Sequence, residues 1–324
     1  MKAIVYRRNG PPDVLSYEEI EKPTSRENEV LIKVHSAAVN PLDVHLMKGG
    51  PALLRMVIGP RKQKVPGVDL AGVVEAVGAG VTEFKPGDLV FGAGHGAFAE
   101  HAIAPGSKLA PKPAGVSFED AAACPIAALT ALQGLRNKGM IQAGQSVLIN
   151  GGSGGVGTFA VQLGRIFGAH VTAVCSARNA ELVRSLGAER VVDYAKEDFA
   201  KGAARYDLIF DLAGNHSFSA SKRVLNPGGI IVGAGILAGS QSLLGMFGGL
   251  IVTLIRSRFS KEKFTTFVAK VNREDLDFIG GLLASGKLRS VIDRRYTLDQ
   301  AAEAMRYQGT WHASGKLVIE IAAQ

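Results

Sequence analysis

The segment that most restricts what this chain can become is Val147-Leu-Ile-Asn150-Gly151-Gly152-Ser153-Gly154-Gly155-Val156-Gly157. An apolar run suited to a strand breaks into a glycine-rich turn, and a helix-forming run from Thr158 to Gly164 follows. Gly152, Gly154 and Gly157 stand in G-x-G-x-x-G spacing. That spacing says little alone, but between a strand and a helix it has a mechanism. The absent side chains let a pyrophosphate approach the backbone of Gly152, Ser153, Gly154, Gly155, Val156 and Gly157. The helix start then offers unpaired N–H groups and the positive end of its dipole. The competing reading is a glycine-rich turn without a ligand.

The surrounding pattern agrees with the first reading. Candidate strands are Ser146 to Ile149, His170 to Val174, Arg190 to Asp193, Tyr206 to Leu212 and Gly229 to Val232. Helical runs lie between them, such as Ala180 to Leu186 closed by Gly187. This alternation predicts an α/β fold with a doubly wound parallel sheet. The end of the second strand selects the dinucleotide, because an NAD site places an acid there for the ribose 2′-hydroxyl. Here the chain reads Val174-Cys-Ser176-Ala-Arg178-Asn179. Ser176 can hydrogen-bond a 2′-phosphate and Arg178 can pair with it, which favours NADPH. The alternative is an Arg178 that caps a helix start or faces solvent.

The first third of the chain is different. Short β-branched runs (Ala3 to Tyr6, Val30 to Val34, Ala71 to Val74, Leu89 to Phe91) alternate with Gly/Pro turns, as in a barrel-like β unit. The register changes at Ser117, a plausible N-cap for Phe118 to Cys124, and a further helix is read at Thr130 to Leu135. Helices are read from Glu274 to Ala284 and from Leu298 to Tyr307. Lys316 to Ile321 reads as a last strand, which needs a sheet to join, so the tail is expected to return to the first unit. The resulting division is residues 1–118, completed by 265–324, and residues 119–264.

Composition bounds the partners. The 324 residues suffice for two cores. The two cysteines, Cys124 and Cys175, sit in apolar surroundings, which argues against a disulfide framework and for a reducing compartment. The start lacks the apolar core of a signal peptide, so the expected location is cytoplasmic. The net charge is +8, but only 6% of residues are aromatic, too few for basic runs interleaved with stacking rings. No nucleic-acid role is expected. The apolar stretch 242–255 is shorter than the ~20 residues of a spanning helix. It reads first as a buried or homodimer-interface segment, and second, with the basic cluster through Lys263, as a peripheral membrane contact over 242–263.

With these pieces in order, the sequence resembles the medium-chain dehydrogenase/reductase superfamily, in its zinc-lacking quinone oxidoreductase-like branch. The resemblance is carried by Ala38-Val-Asn-Pro-Leu-Asp43, Pro66 to Val74, Phe84 to Phe91, Ala97 to Glu100, Ala128 to Leu132, the glycine turn, Leu186-Gly-Ala188, Val192-Asp-Tyr194 and Ser314 to Val318. It implies an N-terminal GroES-like β-barrel catalytic domain, a Rossmann domain, an active-site cleft between them, and hydride transfer to a quinone, an enone or a related carbonyl compound. It also implies cofactor contacts from Thr130, Tyr194, Gly235, Ile236 and Lys316. Where zinc-dependent members carry ligands, this chain has Asn40, then Val68 with Asp69 beside it, and no cysteine near Thr130. Tight tetrahedral zinc needs thiolate or imidazole donors, so no metal is expected. His95 and His101, a pair without a third ligand, read as structural.

Without a Lewis acid, alcohol oxidation loses its usual stabilisation of the alkoxide, whereas conjugate reduction can rely on hydrogen bonds and a proton source. Asn40 is the candidate donor to the developing anion, Asp43 the residue that orients Asn40, and His45 the proton donor. Two other readings stay open: an enoyl-thioester or other carbonyl reductase on the same scaffold, and an NADPH-binding sensor or membrane-associated protein without turnover. The long stretch 48–64 departs from the family pattern, so substrate specificity does not carry over.

Overall fold

A computed structural model describes residues 1–49, 64–234 and 262–321. Chain packing divides it into two units, Met1–Leu129 with Val271–Gln324, and Thr130–Lys270.

The first unit opens with β1 (Lys2–Val5) paired to β2 (Ser16–Glu19). Its main sheet begins with β3 (Glu29–Val39), longer than the sequence suggests because its end runs through small residues, Ser36-Ala-Ala38, that are all buried. Helix α1 (Pro41–Met47) follows at once, and β4 (Asp69–Val77), β5 (Leu89–Ala93), β6 (His101–Pro105) and β7 (Leu109–Pro111) extend the sheet. Helix α2 (Phe118–Ala122) is capped by Ser117, whose hydroxyl accepts the Asp120 N–H at 3.0 Å. It packs on β3 and β4, so it stays with the first unit and the boundary falls after position 118. Helix α3 (Pro125–Leu132) contains that boundary. It begins at Pro125 rather than Thr130, proline being suited to a first helical position.

The second unit is built on β8 (Ser146–Asn150), α4 (Gly155–Ile166), β9 (His170–Cys175), α5 (Ala180–Ser185), β10 (Arg190–Asp193), β11 (Tyr206–Asp211), α6 (Phe218–Lys222), β12 (Leu225–Gly233) and β13 (Lys263–Thr266). These six strands are all parallel, in the order β10-β9-β8-β11-β12-β13. The order reverses between β8 and β11, and ligands of such sheets bind outside the carboxyl ends of the strands at that point. Leu148, Val174, Val192, Ile209 and Ile231 supply buried apolar side chains from five of the strands, as burial on both faces requires.

The chain then returns to the first unit through α7 (Arg273–Ala284), β14 (Ile292–Thr297), α8 (Ala301–Gln308) and β15 (Lys316–Glu320). The terminal strand β15 pairs antiparallel with β3 and parallel with β14. The main sheet has the order β14-β15-β3-β4-β5-β7, with β6 also on β3. Ile32, Leu70, Phe98, Leu109 and Leu317 are among its fully buried core residues. Among the described residues no helix is long and apolar enough to cross a membrane. Residues 50–63 of the long stretch and 242–261 of the apolar and basic stretch lie outside the described residues.

Candidate functional site

The glycine turn connects β8 to α4. Gly151 has φ +92°, a left-handed conformation that a side chain would strain, and its N–H and that of Gly152 donate to the Val174 carbonyl of β9 at 3.1 and 2.9 Å. The other glycines are required by proximity. A Cβ on Gly157 would lie 2.1 Å from the Gly151 oxygen, and one on Gly152 would lie 2.8 Å from the Ala173 Cβ. A Cβ on Gly154 would meet only the Gly151 oxygen, at 3.6 Å. Two glycines therefore let the turn fold onto its own helix and onto β9, while the third leaves the outer side of the turn bare. Gly154 is the N-cap of α4 and makes no side-chain cap, and Gly155, Val156 and Gly157 form the first turn, whose N–H groups lack partners within the helix. This is a cradle for an anion, and it fits the diphosphate of a dinucleotide.

Around it the structure gathers most of the residues singled out above. Ser176 follows β9 and opens the short turn Ala177–Asn179. Arg178 lies in that turn and is exposed. Tyr194, 60% exposed, follows β10, and its N–H donates to the Cys175 carbonyl at 3.2 Å. Ser176, Arg178 and Tyr194 thus share the carboxyl ends of two adjacent strands. Ser153 accepts a hydrogen bond from the side chain of Asn179 at 3.0 Å, so the glycine turn and the β9 turn are tied together. Sequence reading missed Asn179, because its partner lies 26 residues away and no local pattern marks it. Thr130 lies on α3, in the same unit. Gly235 and Ile236 lie outside the described residues.

The remaining candidates belong to the first unit and form a second cluster. Asn40 precedes α1, and its backbone N–H donates to the Asp43 carboxylate at 2.8 Å, closing the start of the helix. The Asn40 side chain donates to Asp69 at 2.9 Å and accepts from the Lys316 ammonium at 2.6 Å. Lys316 also donates to the Val39 carbonyl at 3.2 Å and lies 3.6 Å from Asp69. The other Asp69 oxygen accepts the Ile126 N–H at 3.0 Å, at the start of α3. All four side chains are at most 3% exposed. Burial pushes the Asp43 carboxyl up to about 7 against the hydrogen bond from Asn40, and burial also raises that of Asp69 against the pull of Lys316. The amide nitrogen offered by the sequence reading to a developing anion is on Asp69, and the ammonium carried over as a cofactor contact is on Asn40, Val39 and Asp69. Asp69 enters the sequence reading only as a neighbour of Val68. Its partners are 29 and 57 residues away, beyond any local signal.

His45 lies on α1 with its ring centroid 6.1 Å from that of Trp311. Its Nε2 is buried and finds no hydrogen-bond partner among the described residues. Burial, then the nearby Lys48, holds its pKa below the usual imidazole value, so at neutral pH the ring is predominantly uncharged. His101 faces Glu75 at 2.8 Å. Among the described residues no three His, Cys, Asp or Glu side chains come together in a way that could hold a metal ion.

Comparison with known proteins bears on both clusters. Residues 26–114 match the family model described as alcohol dehydrogenase GroES-like domain, and residues 186–319 match that of zinc-binding dehydrogenase. The chain is 33% identical to the chloroplast envelope quinone oxidoreductase homolog of Arabidopsis thaliana, over 94% of each chain. It is 34% identical to the chloroplastic NADPH-dependent alkenal/one oxidoreductase of the same plant, over 98% of this chain and 79% of that protein. Among solved structures, the quinone oxidoreductase of Coxiella burnetii superposes with a TM-score of 0.86 at 31% identity, covering 99% of each chain.

Proposed function

The chain belongs to the medium-chain dehydrogenase/reductase superfamily, in its quinone oxidoreductase-like branch, and on that premise we propose that it transfers hydride from NADPH to quinones or α,β-unsaturated carbonyl compounds. The observation that carries the cofactor reading is the glycine turn, where Gly157 and Gly152 permit contacts that no side chain would allow and Gly154 leaves the approach bare. NADPH supplies the hydride when bound. Arg178 and Ser176, with no acid at the end of β9, support the choice of the 2′-phosphorylated dinucleotide, since a guanidinium pairs with a phosphate dianion. Tyr194, beside them, adds a ring and a hydroxyl to the same edge.

In the first unit, Asn40 and Asp43 set the start of α1, which carries His45. His45 is the proton relay of this reading. An uncharged imidazole can accept a proton on one nitrogen as it releases one from the other, and it can deliver that proton to the reduced substrate. Lys316 and Asp69 hold Asn40 in one orientation and so act through it.

The deciding experiment is NADPH consumption by the purified chain against a panel of quinones, enals, enones and acyl thioesters. Turnover of the quinones or enones is the expected result. Exclusive turnover of thioesters moves the reading to an enoyl-thioester reductase, and no turnover of any electrophile rejects it. In the same assay His45→Phe should lower kcat about 100-fold or more if the ring moves the proton; an unchanged kcat removes His45 from that role.

A further inference from the structure

Five side chains from three segments meet at the carboxyl ends of β8 and β11, the two strands where the sheet order reverses. Asn150, the last residue of β8 and the neighbour of Gly151, is 2% exposed. Its side-chain nitrogen lies 2.8 Å from Asp211 Oδ1 and 2.8 Å from Asn215 Oδ1. His216 Nδ1 lies 2.9 Å from that same Asn215 oxygen, and His216 Nε2 lies 3.0 Å from Asp198 Oδ1.

The direction of every bond in this chain follows from its ends. Asp211 Oδ1 also receives the backbone N–H groups of Ala213 and Gly214 at 3.2 and 2.9 Å, so it is an acceptor. Asn150 must then turn its NH2 toward Asp211, and the second N–H of that group reaches Asn215. The Asn215 atom there is therefore the oxygen, and it can only accept. At the other end Asp198 Oδ1 receives the Ala200 N–H at 3.0 Å, so it too is an acceptor. Burial works to raise the Asp198 carboxyl, but the Ala200 N–H and His216 hold it below the ordinary value. An imidazole between two acceptors needs a proton on both nitrogens.

Building on the dinucleotide-binding reading, we infer that His216 is a positioning residue for the cofactor site: held as an imidazolium between Asp198 and Asn215, it fixes Asn215 and Asn150 beside the glycine turn, and loss of its proton loosens the site's grip. The charged groups around it are Asp198, Lys201 on the far oxygen of Asp198 at 3.7 Å, and Asp211 behind the two amides. The Phe199 ring packs against it with centroids 4.4 Å apart. The step moves one proton, on or off His216. Deprotonation leaves one ring nitrogen facing an oxygen lone pair, so either Asp198 or Asn215 must move away.

The test is fluorescence titration of the full chain with NADH and NADPH at a series of pH values from about 5.5 to 8.5. NADH is the informative ligand, because the 2′-phosphate of NADPH itself titrates near pH 6. Affinity for NADH should fall about three- to tenfold as pH rises. His216→Gln should bind weakly at every pH, and His216→Arg, a permanent cation with donors for both acceptors, should restore tight binding without the pH slope. A flat wild-type profile overturns the inference, and so does a His216→Gln profile with the wild-type slope. Should neither variant fold, 15N–1H spectra of the wild-type ring decide: two ring N–H groups at the acidic end support it, and one overturns it. Absence of dinucleotide binding at any pH would instead reject the proposed function itself.

Discussion

The ammonium of Lys316 lies 2.6 Å from the side-chain oxygen of Asn40, 276 residues earlier in the chain, and 3.6 Å from the carboxylate of Asp69. A buried cation and a buried anion each hold the other in the fold, and removing one leaves the other without compensation. Lys316→Met should therefore cost about 3–5 kcal/mol. Adding Asp69→Asn to it should cost much less than the two single changes together. Urea denaturation of the intact variants measures both, and additive losses would show that the pair is not coupled.

Asp43 gives the fold a pH dependence. Its carboxyl is pushed up from an ordinary 3.8 to about 7, chiefly by burial. The folded chain keeps a proton that the unfolded chain has already released. Asp43's contribution to stability is thus complete below 3.8 and is lost as pH rises toward about 7, on the order of 4 kcal/mol in all. Asp69 is shifted the same way and adds to the trend. Asp43→Asn should flatten the profile between about pH 4 and 7. Denaturation midpoints across that range, unchanged in slope by the substitution, would remove Asp43 as the cause.

Much of this could be seen beforehand, and the part that could not has a common reason. The strand at Arg190–Asp193, the glycine turn and the return of the last strand follow from local pattern: apolar runs, bare turns, and an edge that must find a sheet. The start of α3 at Pro125 was hidden, although a proline was there to mark it, because the carboxylate at its start comes from Asp69. The links from Asn179 to Ser153 and from Lys316 to Asn40 join residues that only the folded backbone brings together. Periodicity reports which face is buried; it says nothing about which two polar groups meet inside.

Two glycine substitutions separate packing from ligand approach. Gly157→Ala puts a methyl 2.1 Å from the Gly151 oxygen and should lower the melting temperature by several degrees as well as weaken both dinucleotides at least about tenfold. Gly154→Ala meets nothing closer than 3.6 Å and should melt like the wild type while still weakening dinucleotide binding. A Gly157→Ala protein with wild-type melting and binding would contradict the close approach of turn and helix.

The preference between dinucleotides tests the end of β9. Arg178→Asp should weaken NADPH by about 1.5–3 kcal/mol, roughly 10- to 150-fold, and leave NADH little changed. Equal losses for the two, measured by calorimetry, would show that Arg178 does not read the 2′-phosphate.

The seating of β15 between β3 and β14 has a consequence for how the protein comes into being. A ribosome delivers residue 40 long before residue 316, and for all that time the Ser36–Val39 end of β3 lacks the strand that will pair with it. The second unit has its six strands in hand by Thr266 and can close while synthesis continues. Asn40, by contrast, receives its cation only from a residue made 276 positions later, so the buried polar centre cannot be completed until long after the strands of the nucleotide-type sheet exist.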